Sequence, residues 1–235
     1  MHTHSYSFTQ YYFQALPVIT SRWYLYKSRP PQQQHINLDF TNIRSIKNKS
    51  EALNHHIIGH NTSIFAVTET WLREDETPAL LADITPSGYQ LYHKPQCSRG
   101  GGVGFIVDKN INCHLLESQK DYNSFEHIML NVVQNGEPVN FVCIYRPPGT
   151  KTSFLEDFSE LISHLTSLKH TFVIVGDINI DPKTHTLSNR YTSLLEEWAE
   201  TTCGFPHTHS WEHLRSPDNT WTFSTSQELE NQWLF

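Results

Sequence analysis

The sequence predicts an α/β fold built as two packed β-sheets with helices on their outer sides. Three observations lead there. Short apolar runs alternate along the chain with longer stretches whose apolar residues recur at helical spacing. Several of the short runs are apolar on both faces, and such a strand needs cover from each side. The strongest run opens residues 171–181, TFVIVGDINID, where Phe172, Val173, Ile174 and Val175 are too few for a buried helix and stop at Gly176.

The totals set the frame. A chain of 235 residues that is 37% hydrophobic suits one sizeable domain or at most two small ones. Its formal net charge of −7 supplies no overall positive field for a polyanion. That counts against tight non-specific nucleic-acid binding, which relies on Lys and Arg neutralising phosphates. It leaves room for an enzyme that grips nucleic acid locally and lets a metal carry the charge. The fifteen His are scattered without zinc-ligand spacing. Cys97, Cys113, Cys143 and Cys203 form no CxxC pair, so free thiols in a reducing compartment are expected. No apolar run approaches the length of a membrane span, so a soluble protein away from the membrane is expected. Residues 11–26 are aromatic-rich, yet Arg22 and Lys27 fall late and no cleavage-like site follows, which argues against a signal peptide.

Residues 1–35, rich in His, Tyr, Gln and Ser, read as a lead-in or linker, and residues 36–235 as the domain. Ile36, Leu38 and Phe40 alternate with Asn37, Asp39 and Thr41, the pattern of a half-buried strand whose apolar row Asn42 extends. Residues 45–60 place Ile46, Leu53, Ile57 and Ile58 at roughly helical spacing before Gly59. A second strand spans 64–68, and Glu69 ends it in the row of Phe65 and Val67. Residues 72–88 predict an acidic surface loop with a helical turn. Gly100-Gly101-Gly102 then opens a strand to Val107; lacking a P-loop Lys and Ser/Thr, it suggests close backbone packing. Ile128, Leu130 and Val132 alternate, Asn135-Gly136 turns, and residues 139–144 return as a hairpin strand closed by Tyr145. Residues 154–168 carry Leu155, Phe158, Leu161, Ile162 and Leu165 on one stripe, and residues 188–201 predict a further helix with Leu194, Leu195 and Trp198.

Four strand-like runs each end on a polar group: Asn42, Glu69, Tyr145, and Asp177 with Asn179. If the extended backbone lasts to Asn179, it and Asp177 leave the same side of the chain; the bland alternative is a turn in which they bond their own backbone. Any one of these residues alone reads as structural. Their repetition matters, because strand ends on one side of an α/β core are where such folds gather ligand sites. A carboxylate with an amide can hold a hard divalent cation, a second carboxylate can position a water, and a phenol can bond an anionic oxygen. That set suits metal-assisted phosphoester hydrolysis.

Asn42-Ile43-Arg44-Ser45, Thr68-Glu69-Thr70-Trp71-Leu72, the glycine-rich strand at 100–103, Tyr145-Arg146-Pro147-Pro148 and Gly176-Asp177-Ile178-Asn179 occur in that order. Together they resemble the endonuclease/exonuclease/phosphatase superfamily, in particular the apurinic-like endonuclease domain of non-LTR retrotransposon polyproteins. The resemblance covers about residues 36–225. It implies a DNase I-like four-layer α/β/β/α sandwich and a nuclease that uses Mg²⁺ (or Mn²⁺) to nick one strand of duplex DNA. It further implies that Glu69 is the main metal ligand with Asn42 beside it, and that Tyr145 contacts the scissile phosphate. Asp177 would orient or activate the attacking water, and Asn179 would hold the phosphate or Asp177. Thr222, in Asn219-Thr220-Trp221-Thr222-Phe223, would touch a phosphate oxygen, with Arg146 and Arg44 as further phosphate contacts. A monomer acting in the nucleus is implied as well.

The family pattern continues to a further strand Asp and a terminal Ser-Asp-His, and no Ser-Asp-His occurs in this sequence. His207, His209 and His213 precede the Thr222 strand and are no substitute. The expectation is therefore a copy truncated at its C-terminal end. It would lack its last strands, the catalytic Asp and His, and the parent element's reverse transcriptase domain, and its activity would be impaired. Two alternatives stand beside it: a non-catalytic remnant or binding module of the same fold, and a phosphatase acting on small phosphoesters. Trp71 and Trp198 read as core or helix-packing aromatics, and Arg44, Arg99 and Arg146 as equally suited to surface ion pairs.

Overall fold

The computed structural model describes residues 36–95, 100–117, 120–134, 136–149, 153–180, 189–191 and 193–194, and the backbone of strands at 6–7, 10–13, 20–27 and 220–225. Twelve strands and three helices follow in chain order among these residues. The first sheet holds β1 (Tyr6–Ser7), β2 (Gln10–Phe13), β3 (Thr20–Lys27), β4 (Ile36–Asn42), β5 (Ile64–Thr68), β6 (Tyr89–Lys94) and β7 (Val103–Asp108). Its order is β1-β3-β4-β5-β7-β6, with β2 on β3. The second sheet runs β12-β11-β10-β9-β8, from β8 (Cys113–Leu116), β9 (Glu126–Gln134), β10 (Glu137–Tyr145), β11 (Thr171–Asp177) and β12 (Thr220–Thr225). The helices are α1 (Ser50–Gly59), α2 (Pro78–Asp83) and α3 (Phe154–Ser167). Residues 6–27, expected as a lead-in, thus contribute three strands, and β3 pairs antiparallel with β4.

Side-chain alternation turns these strands into layers. Leu38, Phe40, Ala66 and Phe105 of the first sheet meet Leu130, Phe141, Cys143, Val173 and Val175 of the second in a core between the sheets. The opposite faces are covered too. Phe65, Val67 and Ile106 pack under Leu53 and Ile57 of α1, while Val142, Ile144, Phe172 and Ile174 pack under Phe158, Leu161 and Leu165 of α3. The result is the α/β/β/α sandwich, and it accounts for the strands that are apolar on both faces.

Two expectations shift in detail. The strand β4 is covered on both sides rather than half-buried: Asp39 is fully buried, accepting from the Thr62 hydroxyl and facing His56 Nε2 of α1 at 3.2 Å. A buried carboxylate is tolerable only with such partners. Helix α1 also begins at Ser50 rather than near residue 45, because Arg44 and Ser45 take positive φ, which no helix accommodates. Ile58, expected on its apolar stripe, is exposed. The strands β6 and β8 were not anticipated; both lie at sheet edges, where partly exposed side chains blur the alternation.

The sharpest packing constraint is Gly176. It sits in register with Ile144, and a Cβ there would overlap the Ile144 carbonyl. Since backbone on a central strand cannot yield, Gly176→Ala is expected to cost at least about 3 kcal/mol or to abolish folding, read by chemical denaturation.

Candidate active site

Within each sheet one strand pair is parallel: β4 with β5, and β10 with β11. Parallel neighbours end at the same side, so Asn42 pairs with Thr68 next to Glu69, and Tyr145 pairs with Asp177. Three of the five polar strand-end residues singled out in the sequence are joined here by direct side-chain hydrogen bonds, and Tyr145 stands beside them. Asn42 Nδ2 donates to Glu69 Oε1 at 2.8 Å and to Asp177 Oδ2 at 2.6 Å, the second bond crossing from one sheet to the other. The Tyr145 hydroxyl lies close enough to feel the charge of the Glu69 and Asp177 carboxylates.

How each side chain reaches the cluster differs. Asn42, Tyr145 and Asp177 continue the inward rows of Phe40, of Phe141 and Cys143, and of Val173 and Val175. Glu69 does not. Its row mates Phe65 and Val67 face α1, and simple alternation sends it the same way. A φ of +52° turns it toward the cluster instead. Among the described residues seven that are not glycine take positive φ, and five of them, Arg44, Ser45, Glu69, Trp71 and Asn179, lie in loops leaving β4, β5 and β11. Such conformations cost on the order of 1–3 kcal/mol each and gather where function demands a particular aim.

The extended backbone ends at Asp177 and does not last to Asn179, which has φ +45°. The turn and the site coexist: Asp177 Oδ1 accepts the Asn179 N–H at 3.0 Å, while Oδ2 faces Asn42. The Asn179 carboxamide is directed elsewhere, donating to the Arg146 carbonyl at 2.7 Å. Arg146 returns the tie. It is buried, its Nη1 donates to the carbonyls of Ile178 and Asn179 at 3.1 and 2.9 Å, and its guanidinium lies over the Phe154 ring. The Arg146 guanidinium, read from the sequence as a phosphate contact, is turned inward onto carbonyls and laces two loops together. Arg44 is exposed beside the cluster. Thr222 pairs through its backbone with Val175 on β12, and its side chain lies outside the described residues, as do Trp198 and Arg99.

Burial first, then the negative charges of Glu69 and Asp177, push the Tyr145 hydroxyl well above its ordinary range. It therefore stays protonated and acts as a donor. No three His, Cys, Asp or Glu side chains converge as a cation site among the described residues. The donor set is a carboxylate and a carboxamide, with a second carboxylate beyond. Asn42 Oδ1 is buried without a hydrogen-bond partner, an orphaned oxygen beside Glu69 of the hard kind that Mg²⁺ prefers. The residues fit such an ion.

One neighbour escaped the sequence reading. Glu126 Oε2 accepts the Gly102 N–H at 2.6 Å, and Gly102 presses on Thr70, so that a Cβ there would strike the Thr70 hydroxyl. The signal was present. A two-residue Asn135-Gly136 turn fixes the hairpin register and puts Glu126 opposite Tyr145, as observed.

The chain belongs to the Endonuclease/Exonuclease/phosphatase family, whose sequence profile matches residues 36–229. Comparison with curated proteins finds no match. Among solved structures the chain is similar to the endonuclease domain of TRAS1, a telomere-specific non-LTR retrotransposon, with 14% identity, a TM-score of 0.51, and 69% of this chain and 70% of that one covered. It is also similar to a humanized D. rerio TDP2, with 9% identity, a TM-score of 0.50 and coverage of 84% and 85%. Against the AP endonuclease LMAP of Leishmania major the identity is 17% and the TM-score 0.47; the match covers 60% of this chain and only 54% of that one. At these identities the likeness is one of fold.

Two predictions follow from this geometry. Arg146→Ala is expected to lower stability by about 2–4 kcal/mol, since charge-assisted bonds to buried carbonyls are lost; thermal and urea melts read it. Burial raises the Glu126 carboxyl from 4.5 to about 7. Below about pH 4.5 folded and unfolded chains both hold its proton, and between there and about 7 only the folded chain does. Its contribution to stability therefore falls as pH rises through that window, and Glu126→Gln should flatten the corresponding slope of melting temperature against pH.

Proposed function

We propose that this chain is a divalent-metal-dependent phosphodiesterase of the retrotransposon endonuclease branch that nicks DNA. The observation that carries the reading is the bridge from Asn42 to both Glu69 and Asp177, which draws the ends of two separate sheets into one cluster. The retrotransposon branch rests on the motifs Asn42-Ile43-Arg44-Ser45, Thr68-Glu69-Thr70-Trp71-Leu72 and Tyr145-Arg146-Pro147-Pro148.

Glu69 and Asn42 would hold Mg²⁺ or Mn²⁺, whose chemistry there is to neutralise charge on the phosphate. Asp177 is the group placed to take a proton from the attacking water. The donors on its two oxygens, Asn42 Nδ2 and the Asn179 N–H, hold the carboxylate in place. Asn179 acts mainly through its backbone N–H, fixing Asp177. Tyr145, protonated throughout the neutral range, can offer its O–H to a phosphate oxygen. No Ser-Asp-His occurs in the 235 residues, so turnover by this chain is expected to be slow. A missing donor to the developing oxyanion commonly costs on the order of 10²–10³ in rate.

Nicking of supercoiled plasmid tests the reading. Weak Mg²⁺-dependent conversion to the open circle is expected, falling at least about 10²-fold in Asp177→Ala and in Glu69→Ala. Nicking that survives both substitutions, or that ignores EDTA, would defeat it. Faster release of phosphate from small monoesters than nicking of plasmid would favour the phosphatase alternative.

A further inference from the structure

Trp71 reads from the sequence as a core or helix-packing aromatic, and the structure turns it outward. It is 44% exposed, one of four large apolar side chains so exposed among the described residues, and the one that stands two positions from Glu69. An isolated exposed aromatic is ordinary; a rigidly held one at the edge of a catalytic cluster is not. The backbone beneath it is tied on both flanks. From one side Ser45 N–H donates to the Glu69 carbonyl at 2.8 Å and Ile46 N–H to that of Thr70 at 3.1 Å. From the other, Thr70 N–H donates to the Gly102 carbonyl at 3.2 Å and Trp71 N–H to that of Gly101 at 2.9 Å. Glu126 in turn holds Gly102. Trp71 itself takes φ +56°, a conformation costly for a bulky residue, and Leu72 beyond it is buried. The strain keeps the indole outside although its neighbours in sequence go in. Gly100 lies against the ring edge, where a Cβ would meet Nε1 at 3.8 Å.

We infer that Trp71 is a stacking platform for a nucleobase splayed out of the duplex beside the bond to be cut. The inference rests on the nuclease reading above. Charge favours a base as the occupant. A chain of net charge −7 gains little from counterion release along a phosphate backbone, so its hold on nucleic acid needs a contribution that charge does not supply. Stacking on an aromatic face is that contribution, and it tolerates any base. A rigid indole loses little freedom when a base settles on it, which is what an anchored, strained backbone secures.

The test uses the full chain in EDTA and two labelled duplexes, one fully paired and one carrying a central two-nucleotide bulge, read by fluorescence anisotropy. The unmodified chain should bind the bulged duplex about tenfold more tightly than the paired one. Trp71→Ala should erase that preference, and Trp71→Phe, which keeps a ring, should retain most of it. A misfolded variant would weaken both duplexes alike, so the ratio isolates stacking. Equal affinity of the unmodified chain for the two duplexes, or a preference that survives Trp71→Ala, overturns the inference. Hydrolysis of bis(p-nitrophenyl) phosphate in Mg²⁺ separates this from the functional reading. If the bulge preference depends on Trp71 while the unmodified chain cleaves neither plasmid nor diester, stacking stands and the nuclease reading falls.

Discussion

The hydrogen bond from Asn42 to Asp177 is the constraint on which the site depends. At 2.6 Å it joins residues 135 apart in the chain and belonging to different sheets. Neither sheet holds the cluster alone. The first offers Asn42 and Glu69 and the second Tyr145 and Asp177, and only face-to-face packing sets them within reach of one another. The core between the sheets, with Phe40, Ala66, Phe105, Phe141 and Val173 fully or nearly fully buried, is thus also the device that fixes the site's dimensions. A dense interior tolerates little sliding, so packing quality and site geometry are the same quantity seen twice.

Around that bridge the backbone is stretched into unusual shapes and then tied down. Glu69, Trp71 and Asn179 each hold positive φ, and each has a main-chain or side-chain bond that prevents relaxation. The Gly100-Gly101-Gly102 run takes its place in this scheme, supplying carbonyls to Thr70 and Trp71 at a separation that a side chain on Gly102 would forbid. Glu126 holds the run from behind. The strain at the site is therefore offset by local hydrogen bonding, without drawing on the distant core.

Much of this was legible in the sequence, and the reasons are specific. The strands that carry the site end in a polar residue after an unbroken apolar row, and inward alternation places Asn42, Tyr145 and Asp177 correctly. Order and spacing of the motifs marked the family. What alternation could not give was Glu69, since its aim depends on a single backbone torsion that residue type does not encode. The inward turn of Arg146 was hidden for a related reason. A guanidinium next to Tyr145 suggests phosphate, and here it is turned onto two carbonyls and an aromatic face. The exposure of Trp71 was not legible because an aromatic side chain reads as core or helix-packing, and nothing in composition distinguishes an indole pinned outside from one buried.

Cys143 belongs to the same core between the sheets. Its thiol lies between the two sheets, fully buried, donating to the Val67 carbonyl across the gap at 3.7 Å, and burial raises it far above the ordinary thiol range. In the closed sandwich it is both inaccessible and un-ionised, and so chemically silent. An alkylating reagent that modifies it has met a molecule whose layers had parted. The rate of that modification then clocks how often the two halves of the cluster separate, a native-state opening measured without any substrate at all.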